Sequence, residues 1–232
     1  MGNLKLLFIH GAGGTRSKWR SLKNFSSSVY EVIDLPAHGD NEFNIISSIQ
    51  DYAAYIDQSI QEDTIVVGHS MGGLIAIELA ARNKKVKGLV LVASFYELPV
   101  HPKILDKLAD GEFPESLFHA SYSKEVSESL LEEERQELDL VPIEITHADF
   151  QACTEYLEGR AVLSSLKIPI CAILGSQDKL LPRGAGDLLR NIKPDMHILE
   201  IEGSGHYVML EKQEEFHNAL NEFVQIVEKQ TV

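Results

Sequence analysis

Six short apolar runs punctuate the chain. Residues 4–9 end at His10-Gly11-Ala12-Gly13-Gly14, and residues 29–35 close on Pro36-Ala37-His38-Gly39. Residues 64–67 end at Gly68, residues 88–93 form a fourth run, residues 168–174 end at Gly175, and residues 196–201 are more mixed. The apolar positions are continuous rather than alternating, which is the pattern of strands covered on both faces. Helical spacing lies between them. Residues 48–60 carry Ile49, Ala53, Ile56 and Ile60 three or four apart, and residues 74–81 are apolar nearly all round. Residues 183–192 start behind Pro182, and residues 211–227 place Phe216, Leu220, Phe223 and Val227 on one face. Strand–helix alternation predicts an α/β fold with a mostly parallel sheet of about six strands flanked by helices. Right-handed crossovers put all the strand C-termini on one edge, where such folds build their sites.

Residues 95–167 break the alternation. They contain no clear buried strand and read as helices over about 102–110, 124–139 and 147–157. This predicts a core of residues 1–94 and 168–232, with a helical cap, residues 95–167, inserted before the penultimate strand and lying over the sheet's C-terminal edge. Apolar Leu105, Leu108, Phe113, Phe118 and Leu130 are the side chains expected to meet a substrate from that cap.

Composition narrows the classes. A chain of 232 residues with 44% hydrophobic and 24% charged positions suits one domain with an insertion and excludes wholesale disorder. The apolar run within residues 1–10 is too short for a secretory signal, and no stretch approaches a membrane span, so a cytoplasmic protein without a membrane partner is expected. Cys153 and Cys171 make neither a disulfide framework nor a zinc ladder. The net charge is −14, which repels nucleic acid. Residues 95–167 hold sixteen acidic and six basic side chains, most densely in 124–139, which places negative charge near the expected entrance.

Gly68-His69-Ser70-Met71-Gly72 has the form G-x-S-x-G between an apolar run and an apolar helix. A serine hydroxyl is a weak nucleophile and must stand free on a tight strand-to-helix turn beside a base. Glycines two before and two after relieve the crowding of that turn. Of nine histidines, His206 lies in Gly203-Ser204-Gly205-His206, directly after the last run, and is the candidate base. Asp178 follows the fifth run and is the candidate orienting acid, with Glu97 as the alternative. The order Ser70, Asp178, His206 suits the scaffold implied by the turn. His10 and His38 also follow apolar runs and read as structural, and His69 is expected to point away from the serine. The N–H groups of Ala12 and Met71 are the candidate oxyanion donors.

These motifs resemble the α/β-hydrolase fold superfamily, and in particular its small cytoplasmic serine hydrolase and carboxylesterase-like group. The shared features are the H-G-x-G-G loop at His10, the D-L-P-x-H-G turn at Asp34, G-H-S-M-G-G, G-x-x-D at Gly175 and the terminal G-x-G-H at Gly203. Trp19 also stands where such proteins carry an aromatic. The antiparallel strands that usually precede the H-G strand are missing, and Ala37 replaces the commoner glycine. The resemblance implies a serine hydrolase with an acyl-enzyme on Ser70, without cofactor or metal, and does not choose a substrate; a carboxylic ester is the first reading, and the acidic balance of residues 95–167 favours a small, neutral one. Alternatives on the same scaffold are a serine-triad enzyme acting on a thioester, amide or carbon–carbon bond, an acyl transferase or lyase, and a ligand receptor. Dinucleotide binding fails because Arg16 stands where the fingerprint needs glycine. Oligomeric state is not legible.

Overall fold

A computed structural model describes residues 4–25 and 29–231. Residues 1–3, 26–28 and 232, which belong to the expected core of 1–94 and 168–232, lie outside the described residues. Among those described, six strands form one fully parallel sheet: β1 (Lys5–Ile9), β2 (Tyr30–Ile33), β3 (Thr64–His69), β4 (Val86–Val92), β5 (Ile170–Gly175) and β6 (His197–Ile201), in the order β2-β1-β3-β4-β5-β6. The order reverses at β1, and every strand delivers its C-terminus to one edge.

Register explains why the runs are continuous. Leu7, Val66, Leu89 and Ile170 pair across four strands and belong to one buried cluster. Their neighbours Phe8, Val67, Val90 and Cys171 pair likewise and belong to a second. Successive side chains face opposite sides of a sheet, so a strand covered on both faces has few positions left for polar residues. The first face is covered by α1 (Ile49–Asp57), α2 (Met71–Arg82) and buried residues of later helices. The second is covered by a 3₁₀ segment (Arg16–Asn24) and the C-terminal helices. Strand β2 is an edge strand with no buried residue, and it covers only part of the expected 29–35 run.

Between β4 and β5 the described residues form five helices rather than the three expected: α3 (Pro102–Ala109), α4 (Glu115–Ala120), α5 (Glu128–Leu138), α6 (Ile143–Glu155) and α7 (Gly159–Ser165). Helices α4 and α7 are six and seven residues long, too short to show a period. The expected 124–139 helix starts at 128 because the Ser127 hydroxyl caps it by accepting from the Leu130 N–H. The expected 147–157 helix begins four residues earlier, with Pro142 as its N-cap and the Pro142 carbonyl accepting from the Thr146 N–H at 3.2 Å. After β5 come α8 (Ala185–Ile192), α9 (Val208–Glu211) and α10 (Gln213–Thr231). The expected 211–227 helix starts two residues later, as α10, with the short α9 before it and Lys212 between them. No helix among the described residues is long and apolar enough to cross a membrane.

Candidate active site

Ser70 sits between β3 and α2 with φ 51° and ψ −120°. A non-glycine residue in that region stores strain, of the order of 1–3 kcal/mol, and persists only where its surroundings over-determine it. Here they do. The Ser70 N–H donates to the Val92 carbonyl at 3.0 Å, and its own carbonyl accepts from the Gly73 N–H at 2.8 Å and the Ser94 hydroxyl at 2.7 Å. The flanking glycines are sterically required. A Cβ on Gly68 would collide with the Gly72 carbonyl, and one on Gly72 would stand 2.6 Å from the His10 carbonyl.

His206 follows β6. Its Nδ1 lies 2.8 Å from Asp178 Oδ2, and both side chains are buried. The other Asp178 oxygen accepts from the Leu180 N–H at 2.8 Å, which sets the carboxylate plane. The loops after β5 and β6 are bonded to each other, with the Gln177 N–H on the Ser204 carbonyl at 2.8 Å and the Ser176 N–H on the Ile201 carbonyl at 3.0 Å. The His206 N–H donates to the Ser121 carbonyl at 2.8 Å. Glu211 accepts from the N–H groups of Gly205 at 3.0 Å and Ser123 at 2.9 Å, so one carboxylate ties the histidine loop to the segment before α5. Glu97, the alternative acid, is exposed.

His69 lines the same cavity as Ser70 and is buried. Its Nε2–H donates to the His206 carbonyl at 3.0 Å, and burial holds the ring well below the usual histidine pKa, hence neutral. Trp19 is buried behind it, edge to face at 6.3 Å. Around β1, a Cβ on Gly11 would stand 3.0 Å from Ser70 Cβ, so the glycine loop lies directly against the serine. Met71 opens α2, where the first N–H groups have no partner within the helix.

Ser70, His206, Gly11, Ala12 and Gly13 share a cavity of about 270 Å³. Leu98, Val100, Ile104, Phe113, Leu117, Leu138, Phe150 and Cys153 give it an apolar wall drawn from the segment between β4 and β5. Of the five apolar side chains expected there, only Phe113 lines it. Leu108 and Phe118 are buried elsewhere, and Leu130 packs against the second core cluster, because helix rotation about the axis decides facing. The charged expectation changes too. The lining contains Lys18 and Lys179 and no Asp or Glu. Several acids of α5 turn instead to the 3₁₀ segment: Glu134 meets Lys18 at 2.6 Å and Arg20 at 2.9 Å, Glu133 meets Arg20, and Glu137 accepts from Ser17. Sequence reasoning missed Ser94, Asp149, Glu134 and Glu211, since none lies in a motif and each acts through a partner distant in the chain.

Comparison with known proteins agrees with this architecture. A model of the alpha/beta hydrolase family matches residues 6–219. A pimeloyl-[acyl-carrier protein] methyl ester esterase of Neisseria meningitidis serogroup B is 25% identical over 252 residues, covering 95% of this chain and 93% of the relative. A thermophilic esterase of solved structure superposes with a TM-score of 0.84 at 30% identity, covering 96% of this chain and 90% of the other. An esterase from Exiguobacterium antarcticum superposes with a TM-score of 0.86 at 17% identity, covering 97% and 93%.

Proposed function

The chain belongs to the alpha/beta hydrolase family, and on that premise we propose that it cleaves a small, neutral carboxylic ester through an acyl-enzyme on Ser70. Residues 1–94 and 168–232 act as the catalytic core, and residues 95–167 as a cap that supplies the acyl wall. The observation that carries the reading is the His206–Asp178 hydrogen bond of 2.8 Å, opening on the same cavity as a serine held in a strained strand-to-helix turn.

The chemistry runs in two halves. His206 Nε2 takes the Ser70 hydroxyl proton as Oγ attacks the ester carbonyl, and Asp178 holds Nδ1–H so that Nε2 is the basic nitrogen. The N–H groups of Ala12 and Met71 receive the charge that develops on the carbonyl oxygen. Collapse expels the alcohol, which leaves with the proton held on His206. Water, deprotonated by His206, then attacks the acyl-enzyme, and a carboxylic acid leaves Ser70 free. The cavity of about 270 Å³ lies at the small end of ligand pockets, which run from roughly 300 Å³ upward, and its wall is largely apolar. Both features favour short apolar acyl groups.

The test is a series of p-nitrophenyl esters of increasing acyl length, with fluorophosphonate labelling and peptide mapping. Turnover is expected to peak at short chains, Ser70→Ala to be inactive, and the label to sit on Ser70 alone. A label on another residue, or Ser70→Ala retaining turnover, overturns the assignment.

A further inference from the structure

Helix α6 reaches into the site through a carboxylate. Asp149 is fully buried and accepts three hydrogen bonds from three other elements. Gly13 N–H and His38 Nε2–H each lie 2.9 Å from Oδ2, and the Tyr52 hydroxyl lies 2.8 Å from Oδ1. A turn earlier on the same helix, Thr146 packs against Gly13 so closely that a Cβ there would stand 2.7 Å from its Oγ1. On the other side of Asp149, Phe150 and Cys153 line the cavity. One helix therefore holds both the acyl wall and the backbone of the glycine loop.

Buried ion pairs contribute little to stability over apolar packing of the same volume, so this one calls for another role. The bonding around Ala12 supplies it. The Gly11 carbonyl accepts from His10 Nδ1–H at 2.9 Å and from the Gly14 N–H at 3.2 Å. A peptide plane points its carbonyl and its N–H in opposite directions, so anchoring the Gly11 carbonyl aims the Ala12 N–H away from His10 and Gly14. The following plane is anchored by Asp149 through the Gly13 N–H. With both planes held, the Ala12 N–H has one orientation.

We propose that Asp149 is a positioning residue for the oxyanion hole: it fixes the Ala12–Gly13 backbone and couples that geometry to the seating of α6. The proposal rests on the serine-hydrolase reading above. Asp149→Asn keeps the shape but removes the negative charge opposite His38 and leaves one oxygen where two accepted; its amide N–H₂ can meet the Tyr52 hydroxyl, which accepts as well as donates, but not the Gly13 N–H or the His38 Nε2–H. Direct loss of one oxyanion donor lowers kcat by about 10²–10³, so a donor merely released from its orientation is expected to cost about tenfold to a hundredfold. KM for a neutral p-nitrophenyl ester is expected to stay within about threefold. A trifluoromethyl ketone, which forms a tetrahedral adduct on the serine, should weaken in parallel with kcat. Tyr52→Phe removes only the Oδ1 donor and is expected to act in the same direction by about threefold to tenfold. A folded Asp149→Asn with kcat and ketone affinity within about twofold of the parent overturns the proposal, as does a KM rise equal to the kcat loss. Should Asp149→Asn fail to fold, Tyr52→Phe decides, and unchanged ketone affinity in that variant is the overturning result. Failure of the underlying reading is separable, because it shows as turnover or labelling that survives Ser70→Ala.

Discussion

His10 and His38 stand 5.0 Å apart, ring to ring, yet their surroundings ask for opposite protonation states. The Leu35 N–H donates to His10 Nε2 at 3.0 Å, so that ring carries its proton at Nδ1 and must be neutral. Burial, with help from the neighbouring His38 charge, pushes its pKa down to about 3. His38 has acceptors at both nitrogens, the Pro36 carbonyl and Asp149, and its pKa is raised by that carboxylate despite burial. An unfolded histidine titrates near about 6.5, so between about pH 6.5 and the lowered native values the unfolded chain binds more protons at His10 and His69. Their contribution is present above about pH 6.5 and is lost as pH falls toward the lowered native values, about 3 for His10. His38 works the other way: its contribution is present below about pH 6.5 and is lost as pH rises through its raised native value. Urea unfolding from about pH 7 to 5 should therefore show stability falling with acid, each neutral buried histidine adding up to about 1.4 kcal/mol per unit. In His10→Gln, whose amide oxygen can still accept from Leu35, the slope is expected to be shallower. An unaltered slope would assign the acid sensitivity to other groups. At the same scale, Asp178→Asn should leave the fold intact and lower turnover by up to ~10⁴-fold, because the imidazole takes the wrong tautomer. Steady-state kinetics on that variant, with Glu97→Gln as control, check the choice of acid.

Helix α5 docks on the 3₁₀ segment through buried charge. Glu134 is fully buried between Lys18 and Arg20 and also accepts from the Tyr122 hydroxyl at 3.0 Å. The two cations hold its carboxyl below the usual carboxylate range in spite of desolvation. Removing one member leaves Lys18 buried and uncompensated. Glu134→Ala should thus cost about 3–5 kcal/mol in urea unfolding, whereas Glu134→Leu combined with Lys18→Met should recover most of it. If both variants are equally unstable, the loss lies in packing rather than charge. Helix α9 plays a comparable part through Glu211, whose two oxygens each hold a backbone N–H. Glu211→Gln keeps one acceptor and puts a donor against the other N–H. A loss of about 1–3 kcal/mol is expected, together with lower kcat as the His206 loop loosens, measured by denaturation and kinetics side by side.

Across the whole molecule the net charge of −14 sets the long-range field. Within the cavity lining, Lys18 is neutralised by Glu134 and Lys179 is exposed, so neither offers a dry cation to an anionic substrate. A neutral ester is therefore expected to have the higher kcat/KM than a matched ester carrying a distal carboxylate. The gap should narrow with salt, since the screening length drops from about 10 Å at 0.1 M to about 3 Å at 1 M. Equal values at low salt would mean that Lys179 offsets the global field at the entrance.

Fold class and strand order of appearance are legible in the chain because each depends on local pattern, and so are the candidate side chains Ser70, Asp178 and His206. A strand buried on both faces is largely apolar, a tight nucleophile turn must carry its glycines, and residues just past parallel strands share one edge by topology. The tertiary structure decided what depends on facing and on distant partners. Which apolar residues of 95–167 line the cavity follows from helix rotation and from proline and serine boundaries, so Phe113 is there and Leu105 is not. Where the acids of α5 point follows from Lys18 and Arg20, more than a hundred residues earlier in the chain. Asp149 meets Gly13, His38 and Tyr52 across 136, 111 and 97 residues. No periodicity or motif encodes such a contact, because a hydrogen bond is specified by where two groups end up in space and not by their spacing along the chain.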